Sequence, residues 1–418
     1  MSQPGKETPA GKGETAILNT GGGANQVRVR AYNERLVLSV VRRQPGISKA
    51  EIARLTGLSA QTVSVIMRSL EQDDILMRGE PLRGRVGQPS IPMYLNPDAV
   101  FSFGLKIGRR SADLVLMDFI GNIRMSRHYT YPYPEPERIL SIATEGIADL
   151  ESELTPAERG AIAGLGIAAP FELWNWASEV GAPEGAMEVW RKFDLQAAVG
   201  ERLTYPVFLQ NDATSACGAE LIFGLGPRYA DFVYFYIGSF IGGGIVLNSS
   251  IFFGRTGTAG AIAPLPVRNK HGETRQLLEI ASIFVLEKLL RERGIDPQPL
   301  WYAADQWIDF GEPLEIWIAD SAAALAQAIV AACSIIDFSA AIIDGGFPEW
   351  VRRRLVAATI NELSRLDLQG IVVPFIVEGK VGPQARAIGG ANLPIFARYH
   401  TDQTVVFKDF AADDERKA

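Results

Sequence analysis

Cysteine and long apolar runs are the two features that this sequence lacks most clearly. Its 418 residues include two cysteines, Cys217 and Cys333. They exclude a framework of several disulfides and a cysteine cluster that binds zinc. The longest weakly polar run, Ser321–Ile336, is too short to cross a bilayer and predicts a buried, Ala-rich helix. Because the polar N-terminus has no apolar signal segment, we expect a cytoplasmic protein without a membrane partner.

The composition is that of a soluble globular protein, with 47% hydrophobic and 21% charged residues. The length is sufficient for two or three domains and a large core. The formal net charge of −7 is uneven, because residues 1–100 carry +4 and the remainder carries −11. A basic N-terminal module on an acidic body is consistent with contact to DNA through one end only. A solvated surface would also produce a difference of this size.

The stretch Gln44–Leu70 has the pattern of two short helices joined by a tight turn. Ser48 and Glu51 form an S-x-x-E capping box at the start of the first helix. Gly57 allows the sharp turn, and Ser59 caps the second helix. Helical spacing places four apolar residues on one buried face of the second helix, namely Val63, Ile66, Met67 and Leu70. A generic helical hairpin has the same pattern, but the small polar outer face favours a helix-turn-helix whose second helix enters the major groove.

The residues after this helix pair add a wing. Two short strands, Ile75–Arg78 and Ser90–Leu95, flank the loop Gly79–Pro89, which is rich in Gly, Pro and Arg. Glycine lets the backbone approach phosphate or enter a minor groove. The predicted DNA contacts are Ser59, Gln61, Thr62, Ser64 and Arg68 on the helix, with Arg83, Arg85 and Gln88 on the wing. The expected partner is double-stranded DNA with an inverted repeat, bound by a homodimer or a higher homo-oligomer.

The order of these patterns predicts three regions. Residues 1–26 are rich in Gly, Ser, Thr and Lys and predict a disordered tail. Residues 27–97 form the DNA-binding domain, with Asn33–Arg43 as its first helix. Residues 98–410 predict an α/β body of two similar halves, the second spanning about 216–385, with a cleft between them. Each half opens with a hairpin, and Gly238–Gly244 is the predicted Gly-rich turn of the second hairpin.

Five segments of the body carry a family resemblance. They are GLKIGRRSADLVLMDFIGNI (104–123), GLGIAAP (164–170), LQNDATSACGAE (209–220), IGSFIGGGIVLN (237–248) and GTAGAIAP (257–264). In this order and spacing they resemble the ROK family, a group of bacterial sugar kinases and transcriptional repressors. The wing GRVGQPS (84–90) is similar to that of the repressor branch. The resemblance implies a winged helix-turn-helix followed by a two-lobed, actin-like ATPase body of the sugar-kinase type.

The phosphate loop departs from the pattern of the family's kinases. Those kinases have D-x-G-G-T, whose Asp helps to hold Mg²⁺, whereas this sequence has Lys106-Ile107-Gly108-Arg109-Arg110. Lysine has no acceptor for Mg²⁺, and arginines fill the space that glycines leave open. We therefore expect weak or no binding of ATP·Mg, and the three cations suggest a phosphorylated effector instead. Gly242–Gly244 matches the family's second phosphate loop, although close backbone packing explains these glycines equally well.

The family's N-D-A motif is kept as Asn211-Asp212-Ala213. In a kinase Asp212 would accept the proton of a sugar hydroxyl, and without ATP the pair would only hydrogen-bond a ligand. Alternatively, Asn-Asp at a strand end caps the next helix. Glu279 matches a sugar-contacting family Glu, so the predicted ligand-binding residues are Asn211, Asp212 and Glu279. The family's zinc-linked E-x-G-H reads Ala261–Pro264, and the next loop has His271 but no cysteine, so no structural zinc or other metal is expected.

Three functions are consistent with these patterns. The preferred one is a DNA-binding repressor of carbohydrate metabolism genes, whose catalytically degenerate kinase-like body senses a sugar or sugar derivative. The alternative is an active ROK sugar kinase with an added DNA-binding module, which Asp212 favours and Lys106, Arg109 and Arg110 oppose. The third is a constitutive DNA-binding protein whose body only dimerises. The regulator is preferred because the helix pair is intact and the phosphate loop is not.

Overall fold

A computed structural model describes residues 22–81, 91–177, 181–302 and 304–400. Within these ranges the chain forms an N-terminal helical domain and a body with two five-stranded sheets. Each sheet forms the centre of one lobe of the body, and the two lobes face each other across a cleft.

The N-terminal domain has the predicted helix-turn-helix. Its elements are α1 (Gly22–Arg43), α2 (Lys49–Thr56), α3 (Ala60–Gln72) and the antiparallel strands β1 (Leu76–Arg78) and β2 (Met93–Leu95). Ser48 and Glu51 form the predicted capping box, and Gly57 ends α2 in the left-handed conformation. Ser59 caps α3 by accepting a hydrogen bond from the Thr62 N–H. The apolar side chains predicted for α3 are all buried, namely Val63, Ile66, Met67 and Leu70.

The first helix begins earlier than the sequence pattern indicated. It begins at Gly22 rather than at Asn33, so the segment 22–26 is helical and not part of a disordered tail. Polar contacts of Arg30, which precedes the predicted start, stabilise this part of the helix. Arg30 donates a hydrogen bond to Glu34, one helical turn ahead, at 2.8 Å, and another to Ser69 Oγ on α3 at 3.2 Å. Residues 1–21 lie outside the described ranges.

The two sheets of the body share one topology. The strands in chain order are β3 (Phe101–Ile107), β4 (Ser111–Asp118), β5 (Ile123–Thr130), β6 (Ile162–Ala169), β7 (Val207–Asn211), β8 (Phe232–Ile237), β9 (Ile241–Leu247), β10 (Ser250–Ile251), β11 (Pro266–Arg268), β12 (Thr274–Gln276), β13 (Ala340–Gly345) and β14 (Phe375–Glu378). The first sheet has the order β5-β4-β3-β6-β7, and the second has β10-β9-β8-β13-β14. In both, three antiparallel strands are followed by two parallel ones. This repeat confirms the predicted two similar halves.

Helices cover these sheets and separate the lobes. They are α4 (Pro136–Ser152), α5 (Pro156–Gly160), α6 (Leu195–Gly200), α7 (Asp212–Phe223), α8 (Leu278–Ala281), α9 (Ile283–Glu292), α10 (Pro299–Tyr302), α11 (Glu312–Cys333), α12 (Glu349–Leu363) and α13 (Ala385–Tyr399). The buried face of α4 completes the core of the first lobe. Helices α11 and α12 pack against each other in the core of the second lobe. Helices α7 and α13 lie between the two sheets.

Three of the four glycines predicted for the second turn lie inside strand β9, and Gly238 alone of these four lies in the turn. The turn spans the three residues between β8 and β9, whereas Gly242, Gly243 and Gly244 all pair with β8. A Cβ on Gly242 would lie 2.6 Å from the Cβ of Ala213, and one on Gly244 would lie 2.6 Å from the Cβ of Cys217. Ala213 and Cys217 belong to α7. The glycines therefore let α7 pack directly on the second sheet, which is the packing alternative stated for them above.

Helices α7 and α13 approach each other backbone to backbone. A Cβ on Gly389 of α13 would overlap the carbonyl group of Ser215 on α7. On its other side, α13 lies against β3 and β6, where a Cβ on Gly166 would overlap the carbonyl oxygen of Gly390. Helix α13 is therefore wedged between the first sheet and α7, and it closes the first lobe.

Helix α11 has the length and composition of a membrane span, and among the described residues it is the one helix that has both. Half of its most apolar window is buried inside the fold. Side chains such as Trp317 and Leu325 belong to the core of the second lobe. The buried helix predicted over Ser321–Ile336 is part of α11, which begins earlier, at Glu312, and ends at Cys333.

We expect Gly389→Ala to destabilise the fold, because the new methyl group would push α13 away from α7. Overpacking of this kind lowers the free energy of unfolding by about 1–3 kcal/mol. Gly200→Ala is the control, since nothing lies within 4 Å of a Cβ built at the end of α6. Urea denaturation of both variants measures the difference. Equal stability of the two variants would show that the helix contact is looser than described.

Candidate nucleic-acid interface and ligand cleft

The outer face of α3 presents the predicted base-reading residues in two groups. Gln61 and Arg68 are exposed and point away from the domain core. The hydroxyls of Ser59 and Thr62 bond each other at 2.8 Å at the helix start, and Ser64 Oγ donates to the Ala60 carbonyl at 2.8 Å. The hydroxyls therefore stabilise the helix end, whereas Gln61 and Arg68 have the reach and the donors to contact base edges.

Val65 is an exposed apolar residue on the outer face of α3 that the sequence reasoning did not name. Its side chain is 56% exposed although it is apolar. It lies four positions after Gln61 and three before Arg68, so the three residues share one face of α3. An exposed apolar side chain between two polar readers suits contact with a thymine methyl group. The sequence contained a signal for this exposure, because Val65 is apolar but lies outside the buried apolar repeat of α3.

Three predicted wing contacts, Arg83, Arg85 and Gln88, lie in residues 82–90, outside the described ranges. The base of the wing is described and is held by Glu71 on α3. Glu71 accepts a hydrogen bond from Arg78 Nε at 2.9 Å and pairs with Lys49 on α2 at 2.9 Å. One carboxylate thus ties both helices of the motif to strand β1.

The DNA-binding domain is joined to the body through Arg42 at the end of α1. Its Nη1 donates to the carbonyl of Phe119 at 2.8 Å, in the turn between β4 and β5. Its guanidinium lies 4.8 Å from the Phe119 ring centroid and 5.8 Å from that of Phe223 at the end of α7. Tyr399, the last residue of α13, stacks edge-on against Phe119 at 5.0 Å. The ends of α7 and α13 therefore both meet the DNA-binding domain at Arg42.

Two adjoining cavities occupy the cleft between the lobes. The Asp212 cavity, of about 350 Å³, contains Asn211, Asp212 and Thr258. The Lys106 cavity, of about 410 Å³, contains Lys106 and Arg110. Both volumes are in the range of small-molecule sites.

Asn211 and Asp212 hold the start of α7, and Asp212 also has a charged partner. Asn211 Oδ1 accepts from the N–H groups of Ala213 and Thr214 at 3.1 and 3.2 Å, so Asn211 is the helix cap of the stated alternative. Asp212 Oδ2 accepts from Arg386 Nη1 at 3.2 Å. The amide group of Asn211 keeps two donors for a ligand. The pairing of Asp212 with Arg386 opposes a role as a general base, because one carboxylate oxygen is already bonded to a guanidinium group.

Lys106 forms an ion pair within its own hairpin. It lies directly opposite Asp113 in the β3–β4 pair, and its Nζ donates to Asp113 Oδ2 at 3.0 Å. Burial lowers the pKa of Lys106, and the nearby charge of Arg386 adds to that effect while Asp113 opposes it. His128 on β5 bonds the other oxygen of Asp113 at 2.6 Å. Lys106 therefore lines the cleft as predicted, but its ammonium group is already paired.

Arg109 connects the lobes above these groups. Its guanidinium carbon lies 3.0 Å from the centroid of the Phe240 ring, and Phe240 belongs to the turn of the second hairpin. Arg109 lines both cavities, whereas Arg110 is exposed and lines only the Lys106 cavity. The arginines fill the space around the first hairpin turn, as the sequence indicated.

Two family models match the chain. The model described as ROK family matches residues 102–394. The chain belongs to the ROK family. The model described as winged helix-turn-helix DNA-binding matches residues 30–77.

Known proteins resemble this ROK chain along different lengths. The xylose repressor of Bacillus spizizenii is 25% identical over 244 residues, which cover 58% of this chain and 62% of that repressor. The crystal structure of a ROK family transcriptional regulator, a homologue of the E. coli MLC protein, covers 89% of this chain and 97% of its own at a TM-score of 0.63 and 16% identity. The structure of a ROK family glucokinase from Streptomyces griseus, in complex with glucose and AMPPNP, covers 70% of this chain and 98% of its own. Its TM-score is 0.55 and its sequence identity is 20%. At these identities the structures show the fold.

The residues present do not fit two groups that ROK kinases hold. Lys106 stands where the Mg²⁺-holding Asp would be, and it is buried and paired with Asp113. The hairpin β11–β12 replaces the zinc loop, and His271 is exposed at its tip. Within the described ranges, no three His, Cys, Asp or Glu side chains are grouped so that they could hold a metal ion. Neither the donor set for Mg²⁺ nor the donor set for zinc is present in these places.

Glu279 requires a correction, because it does not join Asn211 and Asp212. It is exposed and lines a different cavity, of about 730 Å³, beside the β11–β12 hairpin. Its carboxylate accepts a hydrogen bond from the Gln276 N–H at 3.0 Å and so holds the end of β12. The spacing of the motif matched that of the family, but the chain lacks the zinc loop here and places Glu279 outside the Asp212 cavity.

The sequence reasoning also missed the residues that complete the Asp212 cavity. Arg386 lies 174 positions from Asp212 and comes from α13. Tyr236 on β8 lies beneath it, with its ring centroid 5.1 Å from the guanidinium carbon. Burial raises the pKa of Tyr236 to about 12, so its hydroxyl stays protonated at neutral pH. These groups are brought together by the long-range packing of the two lobes, and no local sequence pattern predicts their contact.

We expect Ser59→Ala to weaken α3, because the Thr62 N–H would lose its acceptor. Loss of such a cap lowers the free energy of unfolding by about 0.5–2 kcal/mol. Ser59→Asp should retain most of the stability, since Asp is also a good cap. Thermal unfolding of the full chain measures both effects. Equal loss in the two variants would contradict the capping role.

Proposed function

We propose that this protein is a sugar-responsive transcriptional repressor of carbohydrate metabolism genes. The observation that carries the proposal is a contrast within the chain. The recognition helix α3 is capped and presents Gln61 and Arg68 to solvent, whereas the kinase phosphate loop holds Lys106 paired with Asp113. The DNA-reading part is intact, and the part that would bind ATP·Mg is not.

Contact with DNA is proposed to follow the winged helix-turn-helix arrangement. Helix α3 enters the major groove, where Gln61 and Arg68 contact base edges and Val65 contacts a thymine methyl group. The wing arginines Arg83 and Arg85 contact phosphate or the minor groove. A homodimer then reads an inverted repeat in the cytoplasm. The relative named xylose repressor supports the role in repression.

The body is proposed to be the sensor. A sugar or sugar derivative occupies the Asp212 cavity, where the Asn211 amide and the Asp212 carboxylate bond its hydroxyls. The names xylose repressor and glucokinase among the similar proteins support a sugar as the class of ligand. Ligand binding changes DNA affinity because it favours one arrangement of the lobes over another.

An active sugar kinase is the second candidate, because Asn211 and Asp212 keep the family motif. The Arg386–Asp212 pair and Lys106 oppose it. We therefore propose that the chain has no kinase activity and needs neither ATP nor zinc. A coupled assay with ATP, Mg²⁺ and a panel of hexoses and pentoses separates the two candidates, and turnover that Asp212→Asn abolishes would establish the kinase.

We expect Gln61→Ala and Arg68→Ala each to weaken binding to DNA selected from a random library by the full chain. Loss of one base contact costs about 1–3 kcal/mol, which is roughly 5- to 150-fold in affinity. Fluorescence anisotropy at one fixed salt concentration measures the change. Matched controls are Gln369→Ala and Arg353→Ala, which remove exposed side chains from the body. If the helix variants bind as tightly as these controls, α3 is not the reading element.

We expect Asp212→Asn to remove the response to sugar while DNA binding is kept. The change deprives Arg386 of its charged partner and a sugar hydroxyl of its acceptor. The measurement is the sugar-dependent release of labelled DNA, with the thermal shift caused by sugar as a second readout. Asp320→Asn is the matched control, because Asp320 pairs with Lys270 beside the third cavity. A response of Asp212→Asn equal to that of this control would place the sensor elsewhere.

A further inference from the structure

The segment that leaves strand β6 forms one wall of the Asp212 cavity. Ala169, the last residue of β6, pairs with Asn211 in the parallel register of β6 and β7. Phe171 and Glu172 follow Ala169 within three residues, and both line the cavity. At about 3.3 Å per residue, they lie at most roughly 7 and 10 Å along the chain beyond the level of Asn211. These two residues form the outer pair of the cavity.

Phe171 is an exposed aromatic side chain at this wall. It is 48% exposed, although aromatic residues usually bury most of their surface. The next residue but one, Leu173, is buried in the core of the first lobe and anchors the segment. A large exposed apolar side chain beside a cavity is informative, because aromatic rings are common in the walls of ligand sites.

Glu172 has a backbone conformation that glutamate seldom adopts. Its φ of +56° and ψ of +44° lie in the left-handed region. Four non-glycine residues in the described ranges have a positive φ, and Glu172 is the one of these that lines the Asp212 cavity. Such strain occurs often at ligand sites, where the surrounding structure imposes it. Asn175 Nδ2 donates to Glu172 Oε2 at 2.8 Å, so Oε1 can accept a hydrogen bond from a ligand.

The wall from the second lobe is made largely of small residues. Five of them have no side-chain group that can bond a sugar hydroxyl, namely Gly242, Gly243, Ala259, Ala261 and Ala263. A hydroxyl that is buried without a partner weakens binding. Most polar side chains of the cavity come from the first lobe, where Asn211 and Asp212 lie at the inner end and Glu172 at the outer end.

The formal charges of the described residues that line this cavity cancel. Asp212 is paired with Arg386, and the other charged side chains are Glu172 and Arg109. An anion would lose its hydration in such a site without a compensating net positive charge. The cavity therefore favours a neutral ligand over the phosphorylated effector that the sequence suggested.

We propose that the effector is a neutral disaccharide or another glycoside, and that Phe171 and Glu172 hold its second unit. The first ring bonds Asn211 and Asp212. The C–H groups of the second unit pack on the ring of Phe171, and one of its hydroxyls donates to Glu172. A monosaccharide bonded to Asn211 and Asp212 would leave the outer pair in contact with water. This inference rests on the proposed sensor function and narrows its class of ligand.

Isothermal titration of the full chain with matched sugars tests the proposal. The pairs are glucose with cellobiose, glucose with maltose, and xylose with xylobiose. Because the second unit adds contacts with the outer pair, we expect at least one disaccharide to bind about ten-fold or more tightly than its monosaccharide. The absence of such an advantage in all three pairs would overturn the proposal.

Variants of Phe171 assign the advantage to the outer pair. Phe171→Ala should remove it and leave the affinity for the monosaccharide within about two-fold, whereas Phe171→Trp should keep it because the aromatic surface is retained. Phe252→Ala is the matched control, since Phe252 is 47% exposed and does not line the Asp212 cavity. An advantage that survives in Phe171→Ala, or one that Phe252→Ala removes equally, would contradict the assignment.

Release of labelled DNA by the same sugars separates this inference from the proposed function. If a monosaccharide releases DNA and no disaccharide binds more tightly, the inference is wrong and the sensor function stands. If no sugar in the panel binds or releases DNA, the sensor function fails and the inference fails with it. DNA binding without sugar, measured in the same preparations, reports separately on the DNA-binding domain.

Discussion

Helices α7 and α13 touch backbone to backbone, because Gly389 has no side chain to keep it away from the carbonyl group of Ser215. This contact sets the relation between the lobes, since α13 also lies against the first sheet and α7 against the glycines of β9. It places Asp212 and Arg386, which lie in the first turns of the two helices, close enough to form an ion pair. The geometry of the cleft is therefore a consequence of how closely two helices can pack.

The electrostatics of the cleft follow from one position on strand β3. Lys106 occupies this position and pairs with Asp113 across the hairpin. The site therefore lacks the negative charge with which a carboxylate at position 106 would bind a metal ion. Arg386, which lines the same cleft, is likewise paired with Asp212. Helix α3 lies in the other domain, apart from this cleft.

The sequence was sufficient where function depends on local pattern and insufficient where it depends on packing. The helix-turn-helix, its caps and its buried face follow from residues within one helical turn of each other, and the structure confirms them. The two similar halves of the body followed from the repeated strand pattern, and their sugar-kinase type followed from the family resemblance. Arg386 was missed because its partner is 174 positions away, and Glu279 was misplaced because a motif match does not fix the course of a loop that has lost its metal ligands. The predicted start of α1 was wrong because the prediction relied on an apolar repeat, whereas Arg30, before that repeat, is held by polar contacts to Glu34 and Ser69.

Helices α7 and α13 also have a common direction. Both begin in the cleft, where their first turns hold Asp212 and Arg386. Both end near Arg42, α7 with Phe223 and α13 with Tyr399, which packs on Phe119. At about 1.5 Å per residue they span roughly 18 and 22 Å. Gly389 packs on the backbone of Ser215, so the two helices lie side by side along this path. They therefore connect the cleft directly with the seat of the DNA-binding domain.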